Sequence, residues 1–347
     1  MSARELRLEP LLGGLAALLA ACVTSSPATP PPGTDSIVQL PGGEPGIGLD
    51  DLRFSTALGK LVVAGGRTGQ IDLIDPQTLE ITSVGGFSAF AGFDGSDQQG
   101  VESADEGGGL VYAVDRAAFR LSVVDPVRGS IVASTGLETT EPDYVRFSAA
   151  RSEVWISNVN RARIDVLTAS AGSAPLHAAF IATPGGPEGL AFDDTRHRAY
   201  VRDFGGDVIV VDTAARVVTE RWSTGCGSAH GIPIVDPDRP FVYVGCGDAT
   251  VVVLDAVGGV PLGRFSLGSG ASIIAYSSGL RHLYLRGDGR AEVVELAVSP
   301  AGALSELDRF VATPKGHCMV ADGDGQLWVC DWASGRLLRF QDVNPAS

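Results

Sequence analysis

Seven positions, one in each of seven repeated units, carry side chains that could meet at a single site. Three are carboxylates, two are histidines and two are small or polar residues: Asp50, Gly100, Asp143, Glu188, His230, Ser272 and His317, with Gln99 as the alternative to Gly100. Carboxylate oxygens and imidazole nitrogens are groups with which proteins hold divalent cations. The set therefore predicts a site for Ca²⁺ or Mg²⁺ formed by Asp50, Asp143, Glu188, His230 and His317. A polar mouth that holds only water is the alternative.

The repeat that relates these positions is visible as a series of apolar triplets. An aromatic or aliphatic residue between apolar neighbours recurs about every 44 residues. The triplets are centred on Val62, Tyr112, Trp155, Tyr200, Tyr243, Tyr284 and Trp328. A period of about 40–45 residues that holds several short strands is typical of a β-propeller. The chain is therefore predicted to be all-β, and specifically a seven-bladed β-propeller.

The fourth unit shows where the strands of one blade should lie. Its apolar runs predict an inner strand at 188–192, further strands at 199–201 and 208–211, and an outer strand near 217–221. The innermost strands of a propeller line its central channel. Each of the seven positions lies about five residues before the turn that ends an inner strand. They should therefore form a ring at the mouth of the channel.

Other polar residues of the repeat are predicted to be structural. An acidic residue that ends the third strand of a unit can accept hydrogen bonds from the backbone of the next turn. The residues at this place are Asp75, Asp125, Asp212, Asp255 and Glu295. His177, His197 and His282 fall in predicted outer strands or surface turns, where exposed polar residues are ordinary. A Phe- and Gly-rich insertion at 85–97 should lie on the face of the ring, either packed down or open to a ligand.

The two ends of the repeat region are complementary. The seventh unit supplies only three strands, and Ile37–Leu40 at the other end can supply its missing outer strand. Such a shared blade removes exposed sheet edges. Residues 36–347 are therefore predicted to form one propeller domain that is closed by an N-terminal strand.

The residues before the repeats have the composition of an export signal followed by a tether. The apolar run at 11–21 is too short for a stable membrane span. Leu19-Ala20-Ala21-Cys22 resembles the lipobox of bacterial lipoproteins. The resemblance implies a signal peptide at 1–21, a lipid on Cys22 and attachment to the cell envelope, with Val23 favouring the outer membrane. Residues 22–35 are rich in Ser, Thr and Pro and predict an extended tether.

Cysteine usage and charge restrict the partners further. Four cysteines remain after Cys22, and an even number in an exported chain favours disulfides, here Cys226–Cys246 and Cys318–Cys330, each pair flanking a turn. A four-cysteine metal site is the alternative, although no Cys-x-x-Cys pair occurs. The net charge of −15 argues against nucleic acid as a partner, because phosphate binding needs clustered Lys and Arg.

The repeats resemble a known type of bacterial and archaeal surface propeller. Gly189, Phe192-Asp193, Tyr200-Val201 and the run 208–212 are similar to YVTN-type repeats, and the last unit, 325–331, is similar to the NHL type. The resemblance implies a seven-bladed propeller, and it does not select an activity because such folds carry many functions.

Two functions are compatible with these features. The first is a non-catalytic, membrane-tethered binding or scaffold module of the envelope, whose partners are envelope proteins or a small ligand on the channel face. No Gly-x-Ser-x-Gly, Ser-x-x-Lys or His-Glu-x-x-His motif occurs.

The alternative is a metal-dependent lyase or lactonase. Streptogramin lyases are similar in having seven blades with histidine and glutamate over a bound magnesium. That resemblance implies roles for His230 as base, His317 as acid and Glu188 as ligand, and gluconolactonase-like propellers hold calcium with carboxylates.

Overall fold

Strands account for nearly all the regular structure of the chain. The computed structural model describes residues 31–138, 141–171, 173–228 and 230–347. The predicted signal peptide, the predicted lipidation site at Cys22 and the predicted tether up to residue 30 lie outside the described residues. No helix among the described residues is long and apolar enough to cross a membrane.

Among the described residues, twenty-eight strands form seven four-stranded antiparallel sheets, which are the blades of a propeller. Blade one contains β2 (Leu52–Ser55), β3 (Lys60–Ala64), β4 (Gln70–Ile74) and β5 (Ile81–Gly85). Blade two contains β6 (Val101–Gly107), β7 (Leu110–Asp115), β8 (Arg120–Asp125) and β9 (Ser130–Gly136). Blade three contains β10 (Pro142–Ser148), β11 (Glu153–Asn158), β12 (Arg163–Thr168) and β13 (His177–Ala182). Blade four contains β14 (Pro187–Asp193), β15 (Arg198–Asp203), β16 (Val208–Asp212) and β17 (Val217–Trp222). Blade five contains β18 (Ile234–Val235), β19 (Phe241–Gly245), β20 (Thr250–Asp255) and β21 (Pro261–Ser266). Blade six contains β22 (Ser272–Ser277), β23 (His282–Gly287), β24 (Glu292–Val298) and β25 (Leu304–Val311), and blade seven contains β26 (Met319–Ala321), β27 (Gln326–Asp331), β28 (Arg336–Gln341) and β1 (Ser36–Gln39). A short 3₁₀ helix, Trp332–Ser334, lies in the loop between β27 and β28. The predicted seven-bladed all-β fold is confirmed.

The second and third strands of each blade are buried because both of their faces pack against neighbouring blades. Between blades three and four, for example, Trp155 and Val166 contact a cluster that includes Leu190 and Val211, and all four side chains are buried. The Val-, Ile- and Leu-rich runs of the sequence are the direct cause. Each interface is an apolar layer, so the blades stack into a rigid disc.

The predicted closure by the N-terminal strand is also confirmed. β1 pairs antiparallel with β28, with Ser36 opposite Arg339 and Gln39 opposite Arg336. The side chain of Arg339 donates to the Ser36 hydroxyl at 2.9 Å, and Arg67 donates to the carbonyls of Gly42, Gly43 and Glu44 in the segment that follows β1. The first and last strands of the domain therefore form one blade.

Four of the five predicted turn residues behave as expected. Asp75, Asp125, Asp212 and Asp255 each accept hydrogen bonds from backbone N–H groups two or three residues further along the chain. Glu295 does not, and that prediction was wrong. β24 continues to Val298, so Glu295 lies inside the strand and is buried.

The expectation that His282 is an exposed surface residue was also wrong. His282 begins β23 and is fully buried, because residues near the C-terminus cover it. His177 begins the outer strand β13 and His197 lies in an exposed turn, as predicted.

Both predicted disulfides are present. Cys226 is bonded to Cys246 and Cys318 to Cys330, with a Cα–Cα distance of 5.4 Å in each pair. Cys330 donates its backbone N–H to the carbonyl of Cys318 at 3.1 Å, so the second pair joins opposed positions of the β26–β27 hairpin. All four thiols are used, which excludes the four-cysteine metal site.

Candidate cation site at the channel mouth

The structure brings the predicted ring residues to one end of the central channel. Asp50 precedes β2, Asp143 and Glu188 are the second residues of β10 and β14, and His230 and His317 lie in the loops before β18 and β26. Asp50, Asp143 and Glu188 are all at least nine-tenths buried as residues. We call this end of the channel the mouth.

Blade two contributes Glu102 to the mouth, and not Gly100 or Gln99. Glu102, Asp143 and Glu188 each follow the first paired residue of an inner strand, and each lies in a bulge that contains one extra residue. The sequence prediction missed Glu102 because it placed the end of this strand at Asp105. β6 continues to Gly107, and counting five residues back from Gly107 gives Glu102. The glycine pair that follows, Gly108-Gly109, was the signal that could have located the turn.

Ser272 does not belong to the chemistry of the mouth. Its hydroxyl donates to the carbonyl of Thr250 at 2.7 Å and accepts from the N–H of Cys246 at 3.2 Å. Both bonds join blade five to blade six. The role of Ser272 is therefore structural.

Asp50, Glu102 and Asp143 form a buried carboxylate triad. One oxygen from each lies within 4.8 Å of the other two. Arg116, in the loop after β7, donates to Oε1 of Glu102 and lies 3.7 Å from Oδ1 of Asp143. Oε2 of Glu102 is buried and has no hydrogen-bond partner among the described residues. A buried carboxylate oxygen without a donor is costly, so one guanidinium does not satisfy the triad.

Burial and mutual repulsion shift the pKa values of these carboxyl groups. The pKa of Glu102 is raised well above its usual value by burial and by the negative charges of Asp143 and Asp50. The pKa of Asp143 is raised for the same reasons, burial first and then the charge of Asp50. Such groups take up protons when no cation is bound, because they cannot all stay ionised at close range.

The imidazole of His317 lies beside Asp50 of the triad and contacts two further carboxylates of the mouth. Its Nδ1 is 3.2 Å from Oδ2 of Asp97 and 3.6 Å from Oδ1 of Asp50, and its Nε2 is 3.6 Å from Oδ2 of Asp288. Burial opposes the charged imidazole, but Asp50 and Asp97 outweigh burial and raise the pKa of His317 to about 10. His317 is therefore a cation at neutral pH.

His230 and Glu188 form a second pair, and burial favours the neutral form of each group. Nδ1 of His230 is 3.9 Å from Oε1 of Glu188, which also accepts the N–H of Gly231 at 3.4 Å. Burial and the negative charge of Asp50 raise the pKa of Glu188 to about 7. Burial and the positive charge of His317, whose ring centre is 5.1 Å away, lower the pKa of His230.

The Phe-rich insertion covers part of the mouth, as its position predicts. Phe93 packs edge-on against Trp332 with ring centres 6.4 Å apart, and Trp332 stacks near His317 at 4.8 Å. The indole N–H of Trp332 donates to the carbonyl of Leu49 at 2.6 Å. The insertion also supplies Asp97, a ligand-type residue that the sequence prediction did not single out. It therefore both packs down and shapes the site.

The loops between the second and third strands share this face, but most of their charged residues are structural. Asp203 pairs with Arg221, and Asp331 pairs with Arg336 at 2.8 Å. Of the charged residues in these loops, Arg116 and Asp288 contact the ring, through Asp143 and His317 respectively. These loops define the face of the disc that carries the mouth, which we call the mouth face.

The channel contains a cavity of about 360 Å³ that reaches the mouth at Asp50, His230 and His317. One wall is polar, with Asp51, Tyr144 and Arg146, and the other is apolar, with Ile232, Ile274 and Met319. Arg146 donates to both oxygens of Asp51, at 2.7 and 3.0 Å, and both side chains are buried. The two charges of this pair are matched, although Nε of Arg146 has no hydrogen-bond partner among the described residues. The pair therefore forms a wall of the cavity and leaves the chemistry to the mouth.

The charges at the mouth favour a cation. Among the described residues, the positive charges near the site are Arg116, the protonated His317 and Arg202, which acts on Glu188. Six carboxyl groups face the site: Asp50, Asp97, Glu102, Asp143, Glu188 and Asp288. Hard oxygen donors of this kind suit Ca²⁺ or Mg²⁺. The nitrogen of His230 adds a group that can accept a proton.

Comparisons with known proteins identify the fold and leave the function open. No protein-family model matches the chain, and no curated protein matches it by sequence. A chain in the crystal structure of a mitotic checkpoint complex has 12% identity and a TM-score of 0.73, covering 95% of this chain and 100% of its own. The Cps50 (Swd1) β-propeller domain of Myceliophteria thermophila has 10% identity and a TM-score of 0.72, covering 89% of this chain and 99% of its own. Hydrazine synthase of Kuenenia stuttgartiensis has 14% identity and a TM-score of 0.67, covering 92% of this chain and 99% of its own.

Proposed function

We propose that the protein is a lipid-anchored binding module of the bacterial cell envelope that holds a divalent cation at the channel mouth. The cation would be bound by Asp50, Glu102 and Asp143, with Glu188, His230 and His317 beside it. One observation carries this proposal: the buried Oε2 of Glu102 has no partner among the described residues and belongs to a triad of carboxylates. A cation would satisfy that oxygen and offset the repulsion within the triad.

A cation held by the triad would lie where a small ligand in the channel could contact it. The mouth opens onto the cavity of about 360 Å³, whose apolar wall can contact a small ligand. A cation held by three carboxylates keeps open coordination positions, which water or an oxygen atom of a ligand can fill. Ca²⁺ accepts irregular coordination at 2.3–2.6 Å, whereas Mg²⁺ demands a near-octahedral site. The triad, with an arginine at one edge, favours Ca²⁺.

Equilibrium dialysis of the purified, tag-free chain against Ca²⁺, followed by elemental analysis, tests this proposal. We expect one bound Ca²⁺ in the wild type, and a loss of affinity of at least about 10-fold in Asp50→Asn and Glu102→Gln because each removes one charged ligand. Glu80→Gln, at an exposed turn, is the matched control and should bind as the wild type. A wild type that binds no Ca²⁺ or Mg²⁺ would exclude the cation site.

The envelope location and the type of repeat rest on the sequence. The lipobox ending at Cys22 supports lipid attachment, and the Ser/Thr/Pro-rich tether supports a head held away from a membrane. Metabolic labelling with a palmitate analogue should mark the wild type and not Cys22→Ser. The motifs at Phe192-Asp193 and Tyr200-Val201 support YVTN-type repeats. One similar chain comes from a mitotic checkpoint complex, and a protein partner can be sought by pull-down from envelope extracts.

A metal-dependent lyase or lactonase is the second candidate, favoured by the pairing of Glu188 with His230. The lowered pKa of His230 leaves a neutral imidazole that can accept a proton, next to a carboxyl group whose pKa is about 7. A bound cation would polarise a carbonyl oxygen of the substrate. Turnover of a panel of lactones by the wild type, lost in His230→Ala and Glu188→Ala, would support this function. If the wild type turns over none of these lactones, the lactonase function is excluded and the binding module remains as the proposed function.

A further inference from the structure

A second cluster of metal-ligating side chains lies on the face of the disc opposite the mouth. Nδ1 of His282 is 2.7 Å from Oδ2 of Asp342 and 3.2 Å from Oε1 of Glu295. His282 begins β23, Glu295 lies in β24, and Asp342 follows β28 in the C-terminal tail. The cluster therefore joins blade six to the last residues of the chain.

Glu295 is exceptional for its position in the fold. It pairs with Tyr284, the central residue of the apolar triplet of blade six. In blades one to five the residue at the same place in the ladder is aliphatic: Leu73, Val123, Val166, Val210 and Val253. A carboxylate at a buried aliphatic position is destabilising unless it is paired. Blade seven has Arg339 at this place, but the five aliphatic blades show that the fold itself does not require a charge here.

The hydrogen bonds around His282 leave a place for a positive charge. Its Nε2 is 3.1 Å from the Ser347 hydroxyl, which can accept the ring N–H, as the outer partner of a metal-bound histidine commonly does. With the ring proton on Nε2, Nδ1 presents a lone pair toward Oδ2 of Asp342 and Oε1 of Glu295, whereas with the proton on Nδ1 the ring would donate to Asp342. In the first tautomer the three ligand atoms are all acceptors, and a cation between them would offset their repulsion. One divalent ion at their common point would bond to all three.

Further contacts hold the two carboxylates in place. Asp342 Oδ2 accepts the hydroxyl of Tyr284 at 2.6 Å, and its Oδ1 accepts the N–H of Asn344 at 2.9 Å. Glu295 Oε1 accepts the side-chain N–H of Asn344 at 2.9 Å. Supporting hydrogen bonds of this kind orient ligands for a metal. A cavity of about 190 Å³, lined by Glu295, Asp342 and Asp308, adjoins the cluster and gives an entry path and room for water.

We propose that His282, Glu295 and Asp342 form a structural Zn²⁺ site that fastens the C-terminal tail to blade six. One nitrogen and two carboxylate oxygens are ligands that Zn²⁺ accepts at about 2.0–2.2 Å. The three ligand atoms lie within 4.8 Å of one another, a spacing that one ion can bridge. A water in the adjoining cavity would complete four-coordination. This site shares no residue with the mouth, so the zinc proposal does not depend on the cation that we propose at the mouth.

Zinc titration of the full, tag-free chain after chelation tests the site. We expect one equivalent of Zn²⁺ to bind, and the melting temperature to rise by at least about 2 °C at saturating Zn²⁺. Glu295→Gln and Asp342→Asn should each lower the affinity for zinc at least about 10-fold. Asp308→Asn, an exposed carboxylate of the same cavity, is the matched control and should bind zinc as the wild type.

Co²⁺ provides a measurement that does not depend on any variant folding. Tetrahedral Co²⁺ in place of zinc should give visible absorption bands in the wild type, and added Zn²⁺ should abolish them. A wild type that binds neither Zn²⁺ nor Co²⁺ would overturn the proposal. So would stoichiometric zinc retained by a folded Glu295→Gln or Asp342→Asn protein.

Discussion

Arg116 lies between Glu102 and Asp143, donating to the first and standing 3.7 Å from the second. A single guanidinium is thus the counter-charge for two carboxyl groups whose pKa values are raised by burial and by neighbouring carboxylates, Asp50 among them. Its side chain is 12% exposed, so the pair lies mostly out of water. Arg116 therefore stabilises the mouth, and a bound cation would add positive charge next to the same carboxyl groups.

Replacing Arg116 should therefore make the stability of the protein depend on calcium. Arg116→Gln should lower the free energy of unfolding in EDTA by about 2–4 kcal/mol, because a mostly buried pair loses one partner. Added Ca²⁺ should restore part of this loss by supplying the missing positive charge. Urea unfolding with and without Ca²⁺ measures both effects. Arg128→Gln, in a pair whose arginine is 72% exposed, should change the free energy by less than about 1 kcal/mol.

Glu188→Gln should stabilise the metal-free protein in a pH-dependent way. The pKa of Glu188 is raised from 4.5 to about 7 in the folded state, so the folded state binds this proton more tightly than the unfolded state. Ionised Glu188 therefore lowers stability progressively as the pH rises from about 4.5 to 7. The variant should match the wild type at pH 4 and exceed it by about 2–3 kcal/mol at pH 8. Urea unfolding in EDTA across this range is the measurement, and equal stability at pH 8 would contradict the prediction.

The contact between His317 and Asp97 should stabilise the fold most strongly in mildly acidic solution. The pKa of His317 is raised to about 10, so its contribution is complete below pH 6.5 and is lost as the pH rises through 10. The pKa of Asp97 is lowered to about 2, so its contribution is present above pH 3.8 and is lost as the pH falls through 2. The melting temperature of His317→Gln should be furthest below that of the wild type near pH 4–6. His197→Gln, in an exposed turn, should show no such profile.

The buried pair of Asp51 and Arg146 should be strongly coupled. Either Asp51→Asn or Arg146→Met leaves one buried group without its partner and should destabilise the protein by about 3–5 kcal/mol. The combined variant should lose less than the sum of the two, because it leaves no unpaired charge. A double-mutant cycle by urea unfolding measures the coupling. Additive losses would show that the pair contributes nothing beyond its separate packing.

The two disulfides should each contribute about 2–4 kcal/mol to stability by restricting the unfolded chain. They close loops with sequence separations of 20 and 12 residues, so Cys226→Ala/Cys246→Ala should cost slightly more than Cys318→Ala/Cys330→Ala. Urea unfolding of the two double variants, with the oxidised wild type as reference, measures the difference. An unchanged midpoint in either variant would contradict this expectation.

The parts of the structure that follow from local sequence could be predicted, and those that depend on distant chain segments could not. The triplet around Tyr200 and the turn at Asp212 belong to one blade, so their spacing was sufficient to place the strands. Glu188 and Asp143 were found because their inner strands end at recognisable turns. Glu102 was missed because β6 is longer than its apolar run indicates.

His282 and Glu295 could not be understood from blade six alone. Their environment is completed by Asp342, 60 residues after His282 in the sequence, and nothing in the spacing of the repeats relates that tail to blade six. Asp97 is a similar case, since it approaches His317 only because the insertion folds over Trp332. Contacts of this kind depend on how the ends and insertions pack, which the periodic pattern does not encode.

The register of β1 against β28 determines where the N-terminal segment joins the disc. β28 starts at Arg336, next to the loop that carries Trp332 on the mouth face, and Ser36 pairs three residues further on, with Arg339. The chain therefore enters β1 at the outer rim, on the side away from the mouth. An attachment made through that segment would leave the carboxylate triad uncovered on the other face of the disc.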